Sequence, residues 1–264
     1  GVVRINLARL GYIHKGDREG LFRELKRLLD LARDTLEIKR EIISKNMERG
    51  LYPFTKRYLG DWNHHFSTIG VNGANEMVLN FTNGADNIAT VFGKKLVLDV
   101  MDFIRENLAT FQEQTGNLYN LEATPAEGCS YRFAKTDVKN FPDIITASKE
   151  GNTPYYTNSS HLPVSFTSDV FEALDIQDEL QTLYTSGTVF HAFLGEKLPD
   201  WKAAANLVRK IAENYRLPYY TMSPTYSVCP DHGYITGEHF TCPICGKKAE
   251  VYSRITGYYR PIQN

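Results

Sequence analysis

Residues 229–264 read CPDHGYITGEHFTCPICGKKAEVYSRITGYYRPIQN, and two features in them decide how the rest of the chain is read. The first is a ligand pattern: Cys229-x2-His232, nine intervening residues, then Cys242-x2-Cys245. Two knuckles of nitrogen and sulfur donors at this spacing can close a tetrahedron around a zinc ion. The second is Arg254-Ile255-Thr256-Gly257-Tyr258, a glycine set between an arginine and a tyrosine just beyond the second knuckle. Alone, a glycine among strand-forming residues reads as a turn or bulge. A zinc ribbon alone fits a nucleic-acid-binding module.

Composition narrows the classes. The chain has 264 residues, enough for one large domain or two modest ones. Its formal net charge of −1 gives no basic surface for nucleic acid, and no apolar run is long enough to span a membrane. Three of the four cysteines sit in the knuckles and only Cys129 is spare. That usage argues against a disulfide framework and for a reducing, cytoplasmic setting. The first residues look like an interior strand and the last stop without a capped element, so both ends are expected to be cut from something longer.

Along the chain, residues 1–10 alternate Val, Ile and Leu with polar residues and predict a strand carrying Asn6. Residues 17–49 place leucines at helical intervals, with Asp17 as N-cap and Gly50 as stop. A strand at 65–73 turns into a helix near Asn75, and a second long helix pattern covers 87–114. His64 and His65 are neighbours on a strand and face opposite ways, which argues against a shared metal. A strand near 118–122 runs into Pro125-Ala126-Glu127-Gly128-Cys129, where Glu127 taken alone is an exposed loop acid. Asn158 and Ser159 lie in a polar stretch at 155–164 that ordinary turn bonding would explain. The pattern closes with a helix at 201–215 and a strand at 219–222, and the weak linker signal falls around Ser223-Pro224.

Read together, these segments resemble the anaerobic (class III) ribonucleotide reductases, large catalytic subunit, over nearly the whole chain. The matching stretches are GVVRINLAR at the start, HFSTIGVNG at 65–73, NLEATPAEG at 120–128, YTNSSHLPV at 156–164, YTSGTVFH at 184–191 and RITGY at 254–258. The resemblance implies an α/β fold: the C-terminal half of a ten-stranded glycyl-radical-enzyme barrel over residues 1–222, with a small zinc-ribbon radical domain over 223–264. It implies Gly257 as the residue that stores a backbone radical, a job for glycine because a bare α-carbon can become planar. It implies structural zinc on Cys229, His232, Cys242 and Cys245, although the family usually shows Cys where His232 stands.

The resemblance also makes Glu127 the general base near the substrate ribose. Cys129 is either a small buried residue or a redox thiol. Asn6 faces the active site or is a structural strand-end residue, and Asn158 and Ser159 contact the nucleotide or only turn the chain. The implied reaction is anaerobic reduction of ribonucleoside triphosphates to deoxyribonucleotides. Its implied partners are an activating enzyme that uses S-adenosylmethionine and an iron–sulfur cluster, a reductant (formate or a thioredoxin- or glutaredoxin-type dithiol), and a second copy in a homodimer. Neither membrane nor nucleic acid is expected as a partner. The thiyl cysteine and the allosteric sites are expected to precede Gly1, so this stretch alone is expected to be inactive. Two rival classes remain: the zinc-ribbon nucleic-acid module, which leaves Glu127 and the glycine motif unused, and a glycyl radical enzyme of the acyl-lyase or dehydratase type, which normally lacks adjacent zinc knuckles.

Overall fold

The structure is a computed structural model. It describes residues 1–148, 153–163, 166–167, 169–194, 198–254 and 257–261. Val164 of the polar segment and Ile255 and Thr256 of the glycine motif lie outside the described residues.

The chain opens with β1 (Val2–Asn6), α1 (Leu7–Ile13), α2 (Arg18–Glu48), α3 (Pro53–Leu59), β2 (Ser67–Asn72), α4 (Ala74–Phe81), α5 (Val91–Thr115) and β3 (Tyr119–Glu122). The first strand is shorter than its alternation predicts. Asn6 Oδ1 accepts the Arg9 backbone N–H at 3.1 Å, so the residue caps α1 and turns Leu7-Ala8-Arg9-Leu10 helical. In α2, Leu21, Leu25, Leu29, Ala32 and Leu36 form one buried stripe, and Asp17 caps it by accepting from Gly20 N at 2.9 Å. Every residue of β2 is buried, as the middle strand of a parallel sheet requires.

Strands β1, β2 and β3 are parallel, in that order, with Asn6 opposite Asn72 and Gly70 opposite Glu122. Their C-terminal ends therefore open on one side, the usual place for a ligand on a parallel sheet. Leu7, Leu25, Ile69, Val71, Met77, Val97 and Leu121 belong to the main core beneath. Then come α6 (Glu127–Asn140), α7 (Val170–Gln181), β4 (Phe190–Leu194), α8 (Trp201–Asn214) and β5 (Tyr220–Pro224); β4 and β5 pair in parallel. Asp137 of α6 is fully buried and accepts from Asn6 Nδ2, Arg9 Nε and the Tyr156 hydroxyl, tying α6 to α1.

The last sheet is different in kind. Strands β6 (Tyr226–Cys229), β7 (Gly233–Thr236), β8 (Glu250–Arg254) and β9 (Tyr259–Pro261) form an antiparallel sheet in the order β7-β6-β8-β9. Apart from Val251 and Ala249 it buries few aliphatic side chains. In their place the Tyr226 ring lies 5.4 Å from those of Tyr234 and Tyr252 and 5.6 Å from that of Tyr259. Among the described residues no helix is long and apolar enough to cross a membrane.

Helices α1 and α4 cross so closely that a Cβ on Gly11 would collide with the Met77 carbonyl oxygen and lie 2.8 Å from its Cα. Backbone cannot yield as a side chain tip can. Gly11→Ala should therefore destabilise the full-length protein by about 3 kcal/mol, read as a lower urea midpoint. Gly128→Ala, in α6 with nothing within 4 Å of the added carbon, should leave stability equal or raise it by about 1 kcal/mol.

Candidate functional site

Arg4 starts the construction. Its guanidinium crosses the face of β2, and a Cβ on Gly70 would lie 2.7 Å from its Cδ and Nε. A side chain at position 70 would push the arginine away. Arg4 Nη2 instead reaches Glu122 Oε2 at 3.2 Å and the Thr124 carbonyl at 2.5 Å. Asn158 Nδ2 donates to the Ala123 carbonyl at 2.8 Å. These contacts fix the turn that leads from β3 through Pro125 to Glu127.

Gly257 lies on that turn. It is buried, and a Cβ there would collide with Cβ and Cγ of Pro125. Its carbonyl accepts from Arg254 Nη1 at 2.5 Å, while Arg254 Nε donates to Ser223 Oγ at 2.7 Å. Glu127 is not a loop acid: it opens α6, where a carboxylate suits the positive end of the helix. Arg260 of β9 donates to its Oε2 from Nε at 2.7 Å, and the Arg260 Nη2 stands 2.6 Å from the same oxygen. Glu127 Oε1 is buried with no hydrogen-bond partner among the described residues. Cys129, two residues on, is a free, half-buried thiol.

Opposite this turn, residues 156–161 are laid against the β2–α4 junction. The Gly73 and Ala74 N–H groups donate to the Thr157 and Ser159 carbonyls, and Glu76 accepts from Thr157 N at 2.9 Å and Thr157 Oγ1 at 2.7 Å. Burial raises the Glu76 carboxyl above the ordinary glutamate range, against the pull of the donors on Thr157 and Asn75. Ser159 is fully buried with φ 45°, a left-handed backbone that a non-glycine residue adopts at a cost. Ser159 Oγ, Asn158 Oδ1, Asn120 Oδ1 and both side-chain polar atoms of Asn72 are buried without partners among the described residues. Buried polar groups of this kind need a partner, which a polar ligand or an ordered water can supply. His161 lies between the carbonyls of Asn158 (Nδ1, 2.9 Å) and Val189 (Nε2, 2.7 Å). Burial lowers its pKa, against the pull of both carbonyls.

The knuckle residues meet as well. One donor atom from each of Cys229, His232, Cys242 and Cys245 lies within 4.8 Å of all the others. Cys229 Sγ is 3.7 Å from Cys245 Sγ and 3.6 Å from His232 Nδ1, and Cys242 Sγ is 3.7 Å from His232 Nδ1. A tetrahedron with metal–sulfur arms of about 2.3 Å has edges of about 3.8 Å, so the donor set fits a metal ion. Burial pushes the Cys229 thiol up, but the backbone N–H groups of Asp231 and His232 and the His232 ring outweigh it and bring it down to about 6. The cluster lies at the end of β6 and of β7, while Gly257 follows the far end of β8, about 13 Å along the strand.

The structure thus brings Glu127, Gly257 and, through Ala123, Asn158 to one turn. Ser159 follows Asn158, and the four metal candidates form a separate cluster. Both amide atoms of Asn6 are engaged by Arg9 and Asp137. His64 and His65 belong to no metal-ligating group among the described residues. Arg4, Asn72, Asn120, His161 and Arg260 were not foreseen as site residues. The cation three residues beyond Gly257 was the one available signal for Arg260.

Fold and site define a mixed α/β protein with its polar site at the ends of parallel strands and a Cys3His cluster in an appended small sheet. The comparisons name the family. The family model described as "Anaerobic ribonucleoside-triphosphate reductase" matches residues 1–263, and the chain belongs to that family. It is 24% identical to the anaerobic ribonucleoside-triphosphate reductase of Escherichia coli (strain K12) over 98% of its own length and 39% of that protein's. With the reductase of Enterobacteria phage T4 it shares 25% identity over 71% of this chain and 31% of the relative. The crystal structure of the Thermotoga maritima anaerobic ribonucleotide reductase in complex with dATP and CTP superposes with a TM-score of 0.80 at 27% identity, over 99% of this chain and 42% of that one. The chain therefore spans about two fifths of the length of the relatives it matches.

If the cluster holds a metal, the full-length protein should carry one ion per chain by elemental analysis, and Cys242→Ser should lose it. Metal uptake by stripped protein should weaken progressively as pH falls, because protons compete for the thiolates, above all for Cys245. Against the Lys247 N–H, desolvation and the neighbouring Cys242 and Cys229 sulfurs hold that thiol above the ordinary range. Uptake indifferent to pH and to Cys242 would exclude the cluster.

Proposed function

We propose that this chain is the C-terminal half of a glycyl-radical barrel over residues 1–222, with a zinc-ribbon radical domain over 223–264. In the full-length protein it would reduce ribonucleoside triphosphates to deoxyribonucleotides, anaerobically and in the cytoplasm. The observation that carries the reading is Gly257, a buried glycine with no room for a side chain, packed on the turn that presents Glu127. The change of sheet at Thr225, between β5 and β6, is compatible with a boundary near 222.

In this reading an activating enzyme using S-adenosylmethionine and an iron–sulfur cluster removes a hydrogen atom from the Gly257 α-carbon. The flanking amides delocalise the unpaired electron. The radical passes to a cysteine on a loop outside these residues, and the resulting thiyl takes the 3′-hydrogen of the ribose. Glu127 accepts the 3′-hydroxyl proton while the 2′-hydroxyl leaves as water. Two electrons come from formate or a dithiol, the latter being the setting in which Cys129 would act. The thiol then returns hydrogen to C3′ and regenerates the thiyl. Asn158 and Ser159 would contact the nucleotide, and Asn6, whose amide Arg9 and Asp137 already engage, would reach it only through the second lone pair of Oδ1.

Zinc on Cys229, His232, Cys242 and Cys245 would supply a cross-link to a sheet with few aliphatic core residues. Its separation from Gly257 favours that structural role over a chemical one. Homodimer formation follows the family. The rival nucleic-acid and acyl-lyase readings have no support from the matched relatives.

Electron paramagnetic resonance tests the reading on the full-length protein, anaerobically, with its activase and S-adenosylmethionine. A carbon-centred doublet is expected, and Gly257→Ala should abolish it. Glu127→Gln should keep the doublet while losing turnover by about a hundredfold or more. A silent wild-type sample, with an activase active on another substrate, would sink the proposal.

A further inference from the structure

We propose that Arg260 is a positioning residue: its pair with Glu127 latches the glycine loop onto the turn and, in the same contact, aims the carboxylate. The inference rests on the reading of Glu127 as the base. The geometry of the pair is asymmetric. Both Arg260 nitrogens converge on Oε2, at 2.7 Å and 2.6 Å, and Oε1 stays buried with no partner among the described residues. A carboxylate clamped by one oxygen is held in a fixed orientation, which is what a proton acceptor needs. With the loop undocked, no other described residue donates to this side chain, and the carboxylate would lose its orientation.

Placement explains why the clamp comes from β9. Arg260 follows Gly257 by three residues and is paired to β8 through Ser253, so a motion that lifts this sheet edge as a unit withdraws the glycine and the arginine together. The base is then held in its working orientation only while the glycine is seated on Pro125. The Arg260 side chain is 57% exposed and that of Glu127 19%, so the arginine end of the pair is open to water and can release. Arg254 has a different task, since it holds the Gly257 carbonyl from within the same loop and Ser223 from the sheet junction. Arg260 is the only residue of the glycine-bearing segment that the described contacts join to Glu127 by an ion pair.

The test compares wild type with Arg260→Gln, Arg260→Lys, Glu127→Gln and the double Gln variant, all as full-length protein. Amide hydrogen exchange across residues 257–261 reads docking without needing the chemistry. Each Gln variant should raise exchange there about tenfold, and the double variant should add little to either single. With activase, Arg260→Gln should form its glycyl radical faster than wild type, yet turn over about tenfold or more slowly per radical. Arg260→Lys should recover part of both. Unchanged exchange, additive single effects, or wild-type turnover per radical in Arg260→Gln would overturn the assignment. Coupled exchange effects with no radical in any sample would keep the latch and remove the reductase reading instead.

Discussion

The contact between the Gly257 backbone and the Pro125 ring is the constraint on which the other arrangements depend. It leaves no space for a β-carbon, so both sides must be placed to within a fraction of an ångström. On one side, Arg4 grips the Thr124 carbonyl and can do so only because Gly70 leaves its path clear. Asn158 holds the preceding carbonyl. On the other side, Arg254 spans from Ser223 to the Gly257 carbonyl, and the Tyr259 hydroxyl bonds the Pro224 carbonyl at 3.0 Å. Two sheets of different construction are thereby joined at one van der Waals surface.

The metal-ligand cluster belongs to the same logic. A short antiparallel sheet with a tyrosine cluster in place of an aliphatic core has little hydrophobic energy to resist fraying. A metal held by the four side chains converging at the end of β6 would restrain the sheet from the end opposite the glycine. That stiffness would be carried along β8, with no direct contact between the cluster and the glycine. The polar floor of the site follows the opposite rule. Buried Glu76, the left-handed Ser159 and the unpartnered atoms of Asn72 all cost stability, and they concentrate where a ligand would offset that cost.

Local features were legible in the residues themselves. The Asp17 cap, the leucine stripe of α2 and the knuckle spacing act within a few residues, so pattern alone reveals them. Asn6 stays open on pattern alone because an asparagine ends a strand and starts a helix equally well, and only the register with α6 shows its amide bound to Asp137. Glu127 looked like a loop acid because its helix lacks a side-chain N-cap signal. The Arg260–Glu127 pair joins residues 133 positions apart, and no periodicity encodes such a meeting. The same holds for the three-strand order, which depends on crossovers through α2 and α5.

Among the described residues, strand β1 has a hydrogen-bonded neighbour on one side only: the sheet order begins with β1 and continues through β2. Val2, at its start, is half exposed. A bare parallel edge of apolar residues is a template for another chain. In preparative terms, residues 1–264 expressed by themselves would tend to associate edge to edge, and a charged residue at position 2 or a fused partner strand would be the means of keeping them dispersed.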